Sequence, residues 1–486
     1  VDATALLEQT VDAIISSAFH SAGQRCSALR VLFVLEDIAD DLIVMLSGAM
    51  AELRFCDPLQ VSSDLGPLID EQARNKCRAH CRYLQGVQGR AHLIYACSMT
   101  KDCEEGYFFP PQLYEIDSLG LLTEEVFGPI LHLIRFPGGE IDKVLEQINA
   151  SDYGLTLGIQ SRIDSRSWRL AQRAQVGNVY INRNMIGAVV GLQPFGGRGL
   201  SGTGPKAGGP LYQTRLVHWL EADDSLQKTA FKTLDPGWAE AWCLREESLP
   251  NSPLSADQLV HGSAFADLGS AQRAWSAQGG PSRIHCLEAL QWPNVSSSAM
   301  QGHLQKTLET LLQVSRDLPF TARVFAGPTG ENNYYQMESR GLVLIVVDEA
   351  SGVVCFLRQL LALLLAGNGA LVLCVPDSGF AGFWQVLRGT LVRAGVPAEL
   401  CVTANINALV TLLHEPLLAA VCLAPDSPLS KEIALGLAQR PGAICPLIEA
   451  LNPRVLITAL SYEKTISVNT AAVGGNAGLL SLDESG

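Results

Sequence analysis

Apolar side chains at Leu7, Val11, Ile14, Ile15, Ala18 and Phe19 keep the i, i+4, i+7, i+8 spacing of one helix face, which predicts an amphipathic helix over residues 3–22, ended by Gly23. After Gly23-Gln24-Arg25-Cys26-Ser27, the run 28–35 is short, apolar and valine-containing and reads as a buried strand. Cys26 therefore stands at a helix-to-strand turn. Helices are predicted again over 38–54, stopping before Asp57-Pro58, and over 71–85. The alternation of helices and strands continues to residue 220, the pattern of an α/β layered domain.

Between 221 and 330 the periodicity weakens, with Pro, Ser and Gly clustered at 250–256 and 278–282 and helical pieces such as 303–314, so this stretch is expected to link two domains. Fully apolar runs at 341–347, 370–375 and 419–424, separated by helical segments, then predict a second α/β domain over 331–460 with strands buried on both faces. Residues 461–486 carry polar β-formers followed by Gly474-Gly475, which predicts an edge strand and flap able to add to another sheet in the chain or across a homodimer.

Composition narrows the class. With 486 residues, 48% hydrophobic and 17% charged, the chain can bury large cores, which excludes wholesale disorder. A net charge of −14 without a Lys/Arg-rich run argues against a nucleic-acid partner, because phosphate binding needs concentrated positive charge. The greasiest stretch, 359–366, is bounded by Arg358 and Gly367-Asn368-Gly369 and is too short for a membrane span. Thirteen scattered cysteines without a C-x-x-C pair fit a reducing cytoplasm. The first residue is Val1 and the first methionine Met45, so residue 1 is not expected to be the native start.

Among the cysteines, Cys26 has the setting of a nucleophile: a tight turn beside cationic Arg25 favours the thiolate, the form that adds to a carbonyl. Gly197-Arg198-Gly199-Leu200-Ser201-Gly202 spells a dinucleotide fingerprint, but Pro194 before it and Gly204-Pro205 after it deny it the required strand and helix. Cys77 and Cys81 lie one helical turn apart without a four-ligand set, so no metal is expected. The triplet Asn294-Val295-Ser296 matches a glycosylation acceptor, which has no meaning in a cytoplasmic protein.

Six phrases keep a fixed order: Gly23-Gln24-Arg25-Cys26, Gly66-Pro67-Leu68-Ile69, Gly106-Tyr107-Phe108 with Pro111, Glu125-Val126-Phe127-Gly128-Pro129, Asn149 with Tyr153-Gly154-Leu155, and Pro194-Phe195-Gly196-Gly197. In these the chain resembles the aldehyde dehydrogenase superfamily. The resemblance implies Cys26 as nucleophile, Glu125 on the nicotinamide ribose of NAD, and Phe127 beside the nicotinamide ring. The phrases Cys26-Ser27-Ala28-Leu29-Arg30, Arg183-Asn184-Met185-Ile186-Gly187-Ala188 and the stretch 201–210 resemble more narrowly the glutamate-semialdehyde dehydrogenase part of bifunctional proline utilization A proteins. That likeness implies that the backbone N–H groups of Gly187 and Ala188, assisted by the Ser27 hydroxyl, anchor the α-carboxylate of L-glutamate γ-semialdehyde. Phe195 lines the aldehyde passage or is a plain core aromatic.

The same resemblance places the general-base Glu, the oxyanion-holding Asn and the cofactor's phosphate-binding segments ahead of residue 1, together with an FAD-dependent proline dehydrogenase, so the isolated chain is not expected to turn over. Segments 340–347, 365–376 and 394–399 resemble the cofactor-binding front half of an aldehyde dehydrogenase, with Cys374 where the family has a Lys and the acids Asp348-Glu349 close to where a pyrophosphate would lie. The expectation is thus an α/β protein: the catalytic half of an aldehyde dehydrogenase fold (1–220), a linking region (221–330), a degenerate Rossmann-like domain without cofactor that packs on the active domain (331–460), and a tail (461–486). NAD-dependent oxidation of the semialdehyde is the expected function; a non-catalytic scaffold or oligomerisation module, and a dehydrogenase for another aldehyde, stand as alternatives.

Overall fold

The computed structural model describes residues 1–99, 103, 105–202, 204–217, 254–255, 263–292, 298–348, 350–374 and 380–471. Glu349, Pro376, the Asn294 triplet and the tail beyond 471 lie outside the described residues. The chain opens with α1 (Leu7–Ala18), β1 (Val31–Leu35), α2 (Glu36–Ala51), α3 (Glu71–Gly86), β2 (Ala91–Ala96), β3 (Gln112–Ile116) and β4 (Ile130–Phe136). It continues through α4 (Ile141–Ala150), β5 (Tyr153–Gly154), β6 (Thr156–Ile159), α5 (Asp164–Arg173), β7 (Asn178–Ile181) and β8 (Arg198–Gly199). Among the described residues three helices follow, α6 (Ala264–Ala277), α7 (Gly279–Glu288) and α8 (Ser298–Asp317), then β9 (Arg323–Phe325), β10 (Glu331–Ser339) and β11 (Leu342–Val347). The last part holds α9 (Val353–Leu365), β12 (Gly369–Cys374), α10 (Phe380–Arg393), β13 (Cys401–Asn405), β14 (Leu418–Cys422), β15 (Leu447–Ile448), short helices, and β16 (Ser461–Asn469).

Two compact units result: Val1–Gly202 with Val324–Tyr334 and the described residues from Thr465, and Thr203–Arg323 with Tyr335–Lys464. In the first, β1, β4, β3 and β2 form a four-stranded sheet in that order, parallel except for β2. Val11 and Ile14 of α1 and Leu42, Leu46 and Met50 of α2 bury their faces with Leu32, Val34, Leu131 and Leu133 of β1 and β4. The first helix is shorter than its apolar pattern because Ser21 and Ala22 adopt φ of 57° and 54°, which no helix tolerates. The second begins directly on β1, its first-turn acids Glu36 and Asp37 complementing the helix dipole.

A five-stranded sheet runs β6-β7-β16-β10-β9, with β16 parallel to β7 through Thr465↔Asn178 to Val468↔Ile181. The strand expected at an edge is interior. Its polar side chains are buried and satisfied by residues far away in sequence: Thr465 Oγ1 donates to the Pro194 carbonyl (2.9 Å) and Ser467 Oγ to Asn333 Oδ1 (2.7 Å). The G-x-G-x-x-G stretch folds as β8 against β5, and a Cβ on Gly199 would lie 2.5 Å from the Asp152 carbonyl oxygen.

In the second unit β13-β12-β11-β14-β15 form one parallel sheet. Its all-apolar strands divide residue by residue between two cores: Val343, Ile345, Val347, Ala370 and Val372 face one, Leu342, Leu344, Val346, Leu371 and Leu373 the other. The helices expected in a linking region belong to the first of these cores, through Trp275, Leu287, Leu304, Leu308 and Leu311. They also serve the end of α9, whose last carbonyls have no intrahelical donor. Trp275 Nε1 donates to Leu364 O (2.8 Å), Arg283 Nε to Leu365 O (3.0 Å) and Gln272 Nε2 to Gly367 O (3.0 Å). The observed division at 202/203, 323/324, 334/335 and 464/465 therefore differs from boundaries at 220, 330 and 460, because amphipathic helices interrupted by Gly and Pro look like connectors until their buried partners are seen.

Among the described residues no helix is long and apolar enough to cross a membrane. Arg283→Met, which keeps the buried stem and removes the donors to Leu365 O and Ser276 O, is expected to lower stability by about 1–3 kcal/mol in urea titration. A neutral result would return these helices to the role of a link.

Candidate active site

The turn that carries Cys26 is built by three consecutive residues with positive φ, Ser21, Ala22 and Gly23, the last at 65°. A Cβ on Gly23 would lie 2.4 Å from the Gly128 carbonyl oxygen, so only glycine lets the two segments meet. From this turn Gln24 reaches the second phrase, accepting from Ile69 N–H (2.8 Å) through Oε1. Leu68 N–H in turn donates to Tyr107 O (3.1 Å) of the third phrase. Arg25 Nε is engaged by Ser21 Oγ at 2.9 Å. Cys26 is an exposed free thiol, and its backbone N–H has no acceptor among the described residues.

Arg30 ties this turn to the Glu125–Gly128 segment. Its Nη1 donates to Gly23 O (2.6 Å) and Gly128 O (3.2 Å), its Nη2 to Arg25 O (3.2 Å), and its Nε to Glu125 Oε1 (3.4 Å). The guanidinium lies 4.5 Å from the centre of the Phe127 ring, within cation–π reach. Burial pulls the Arg30 guanidinium below its ordinary range, and the Glu125 carboxylate opposes that shift. The role of Arg30 is not legible in the sequence, because two of its partners, Glu125 and Gly128, lie 95 and 98 positions away and three of the four are main-chain oxygens, which no side-chain pattern marks.

Cys26 and Glu125 line one cleft of 1030 Å³, together with Ser17 and Met185. Arg183, a second functional candidate missed in sequence, also lines it. Ser27 is buried, Phe127 is 43% exposed, and Phe195 is half-buried. The loop carrying Gly187 and Ala188 is hung from the cleft wall by Met185 N–H donating to the buried Ser17 Oγ (3.0 Å). Gly187 is exposed at φ 76°, and neither its N–H nor that of Ala188 has an acceptor among the described residues. Among the described residues no group of three or more His, Cys, Asp or Glu is placed to share a metal. Cys77, its thiol pushed up to about 11 by burial, faces Phe127 O (3.8 Å), and Cys81 faces Gln112 Oε1 (3.2 Å).

Residues 1–218 match the aldehyde dehydrogenase family. This segment is an aldehyde dehydrogenase domain. The whole chain is similar to the bifunctional protein PutA of Salmonella typhimurium, 36% identical over 99% of this chain and 32% of that protein. The chain thus spans about a third of the length of such relatives. The 1-pyrroline-5-carboxylate dehydrogenase of Geobacillus sp. (strain WCH70) is 35% identical over 44% of this chain and 40% of its own length. The solved structure of proline utilization A from Corynebacterium freiburgense aligns over 97% of this chain and 38% of its own with a TM-score of 0.57 at 18% identity, a likeness of fold.

Behind the Cys26 turn of the aldehyde dehydrogenase domain lies a pair of histidines. His132, fully buried on β4 beside Val31, directs Nδ1 at Arg30 O (2.9 Å) and Nε2 at His80 Nε2 (2.8 Å). A carbonyl only accepts, so Nδ1 carries the proton and Nε2 accepts from His80. This arrangement leaves no site for a second proton on His132, and burial lowers it to about 4, while His80 is lowered as well, first by burial. The unfolded chain takes up that proton near 6.5 and the folded one refuses it until about 4, so stability is full above 6.5 and falls as the pH drops through this window. The expected loss is on the order of 3 kcal/mol. Urea titrations from pH 7.5 to 4.5 check this: His132→Asn should flatten the slope, and an unchanged slope would refute the assignment.

Proposed function

We propose that the polypeptide containing this chain oxidises L-glutamate γ-semialdehyde, the hydrolysed form of pyrroline-5-carboxylate, to L-glutamate with NAD⁺, as the second step of proline catabolism. The observation that carries the reading is an exposed, free Cys26 on a strained turn, sharing its cleft with Glu125, with the amides of Gly187 and Ala188, unpaired among the described residues, on a loop hung from the cleft wall. The similarity to 1-pyrroline-5-carboxylate dehydrogenases over the same domain supports it.

In this reading Cys26 Sγ, as thiolate, adds to the aldehyde carbon, and the carbonyl oxygen receives the negative charge facing the free N–H of Cys26. Bound NAD⁺ supplies the acceptor for the hydride that leaves the resulting hemithioacetal. Glu125, half-exposed on the cleft, and the solvent-facing ring of Phe127 fit the ribose hydroxyls and ring of its nicotinamide end. The thioester left on Cys26 is cleaved by water, which releases L-glutamate and regenerates the thiol; the general base for that step is assigned to the preceding part of the polypeptide. Gly187 and Ala188 N–H hold the α-carboxylate with help from Ser27, because a carboxylate needs convergent donors and small residues let the main chain approach. Phe195 lines the aldehyde passage.

We assign the parallel sheet of the second unit to a dinucleotide fold that no longer binds its cofactor. Support comes from Asp348, which follows β11: its Oδ1 accepts from the N–H groups of Ala350 and Ser351 (both 3.1 Å) and from Ser351 Oγ (2.9 Å), and Oδ2 accepts from Ser427 Oγ. Cys355, Ala424 and Leu451 pack together as an apolar cluster beside it. The preceding part of the polypeptide is proposed to hold an FAD-dependent proline dehydrogenase, the whole to be cytoplasmic, and association as a homodimer is part of the reading.

In the intact polypeptide Cys26→Ala should abolish NAD-dependent oxidation, by at least about a thousandfold in kcat. On this chain alone, iodoacetamide with peptide mapping should label Cys26 well ahead of the buried thiols. Full activity of the variant, or uniform slow labelling, would favour a scaffold.

A further inference from the structure

We propose that Glu331 is a positioning residue that sets the preference for an aldehyde bearing a carboxylate; this rests on the anchoring role given above to Gly187 and Ala188. Glu331 opens β10, 138 residues after Gln193 and 148 after Arg183, and reaches both. Its Oε1 accepts from Gln193 Nε2 (2.6 Å) and Asn333 Nδ2 (2.9 Å), and its Oε2 accepts from Arg183 Nη1. A carboxylate offers only acceptors, so both amide nitrogens must face it and both amide oxygens must face away. The outward oxygen of Asn333 then accepts from Ser467 Oγ (2.7 Å). That of buried Gln193 accepts from Val189 N–H (3.1 Å), while Gln193 N–H returns to Val189 O (2.8 Å).

The carboxylate thus dictates the direction of every hydrogen bond down to Val189, the residue after Ala188. Were the Gln193 amide to turn over, its NH₂ would confront Val189 N–H, donor against donor, and the loop would have to move. Glu331 also holds the guanidinium of Arg183, which lines the same cleft as Cys26. Left unpaired, that cation would compete with the Gly187 and Ala188 amides for the substrate's carboxylate. Both effects act on the far end of the substrate and neither on the aldehyde.

The test uses the intact polypeptide with L-glutamate γ-semialdehyde and with pentanal, an uncharged aldehyde of equal length. Glu331→Gln should raise KM for the semialdehyde on the order of tenfold, the scale of one charge-assisted hydrogen bond, with kcat little changed. Its kcat/KM for pentanal should stay at the wild-type value. Equal losses on both aldehydes, or no change on either, would overturn the positioning role while leaving the anchoring amides intact. A wild-type enzyme that prefers pentanal would overturn both. Should Glu331→Gln not fold by circular dichroism, Gln193→Met, which cuts the same chain one bond later, carries the same expectations.

Discussion

The architecture around Cys26 depends on one close approach, that of the Gly23 and Gly128 backbones. Neither position admits a side chain: a Cβ on Gly23 meets Gly128 O at 2.4 Å, and one on Gly128 meets Cys77 Sγ at 2.3 Å. Two carbonyls brought so near each other repel unless a donor is shared, and Arg30 Nη1 supplies it to both. The rest of the guanidinium is then committed, one edge to Arg25 O and one to Glu125. The geometry of the nucleophile turn and that of the Glu125 segment are therefore one problem, solved by a single cation. The paired histidines close the assembly from behind, since both the N–H and Nδ1–H of His132 end on Arg30's own carbonyl.

Polar groups do comparable work on the other wall. The second sheet of the first unit is completed by segments from far along the chain, β16 and the start of β10, and what makes them fit is a set of satisfied buried hydroxyls and amides. Thr465, Ser467 and Asn333 are almost fully buried. Each would cost more than it contributes if its partner were missing. The consequence is specificity of assembly: β16 beside β7 in one register only, which brings Glu331 to the loop that follows β7.

Much of this was legible in advance for identifiable reasons. The helix face at Val11 and Ile14, the buried run after Cys26, and the apolar strands of the second unit follow from local periodicity, and they formed where expected within a few residues. The ordered phrases marked Cys26 and Glu125, and both line one cleft. What stayed hidden was whatever depends on partners distant in sequence. The donors Trp275, Gln272 and Arg283 that finish α9 stand in a stretch whose glycines and prolines read as connector. The tail strand read as an edge because Thr and Ser look solvent-facing when their acceptors are unknown. Arg30 and Glu331 were ordinary charges until main-chain oxygens and amides from elsewhere surrounded them.

The second unit carries the same logic to a different end. In a parallel sheet, the loops at the carboxyl ends of the strands present free N–H groups, and a bound phosphate ordinarily satisfies them. Here Asp348 does so from within the chain, its carboxylate taking the Ala350 and Ser351 amides and two serine hydroxyls, while Ser351 Oγ accepts the Asp348 N–H in return (3.1 Å). An internal anion is present at unit stoichiometry and loses no translational freedom on binding, so it outcompetes any free phosphate of similar affinity. It also repels one. On the proposed reading of this sheet as a dinucleotide fold without cofactor, the internal carboxylate is what lets the loop keep its stability with no ligand bound.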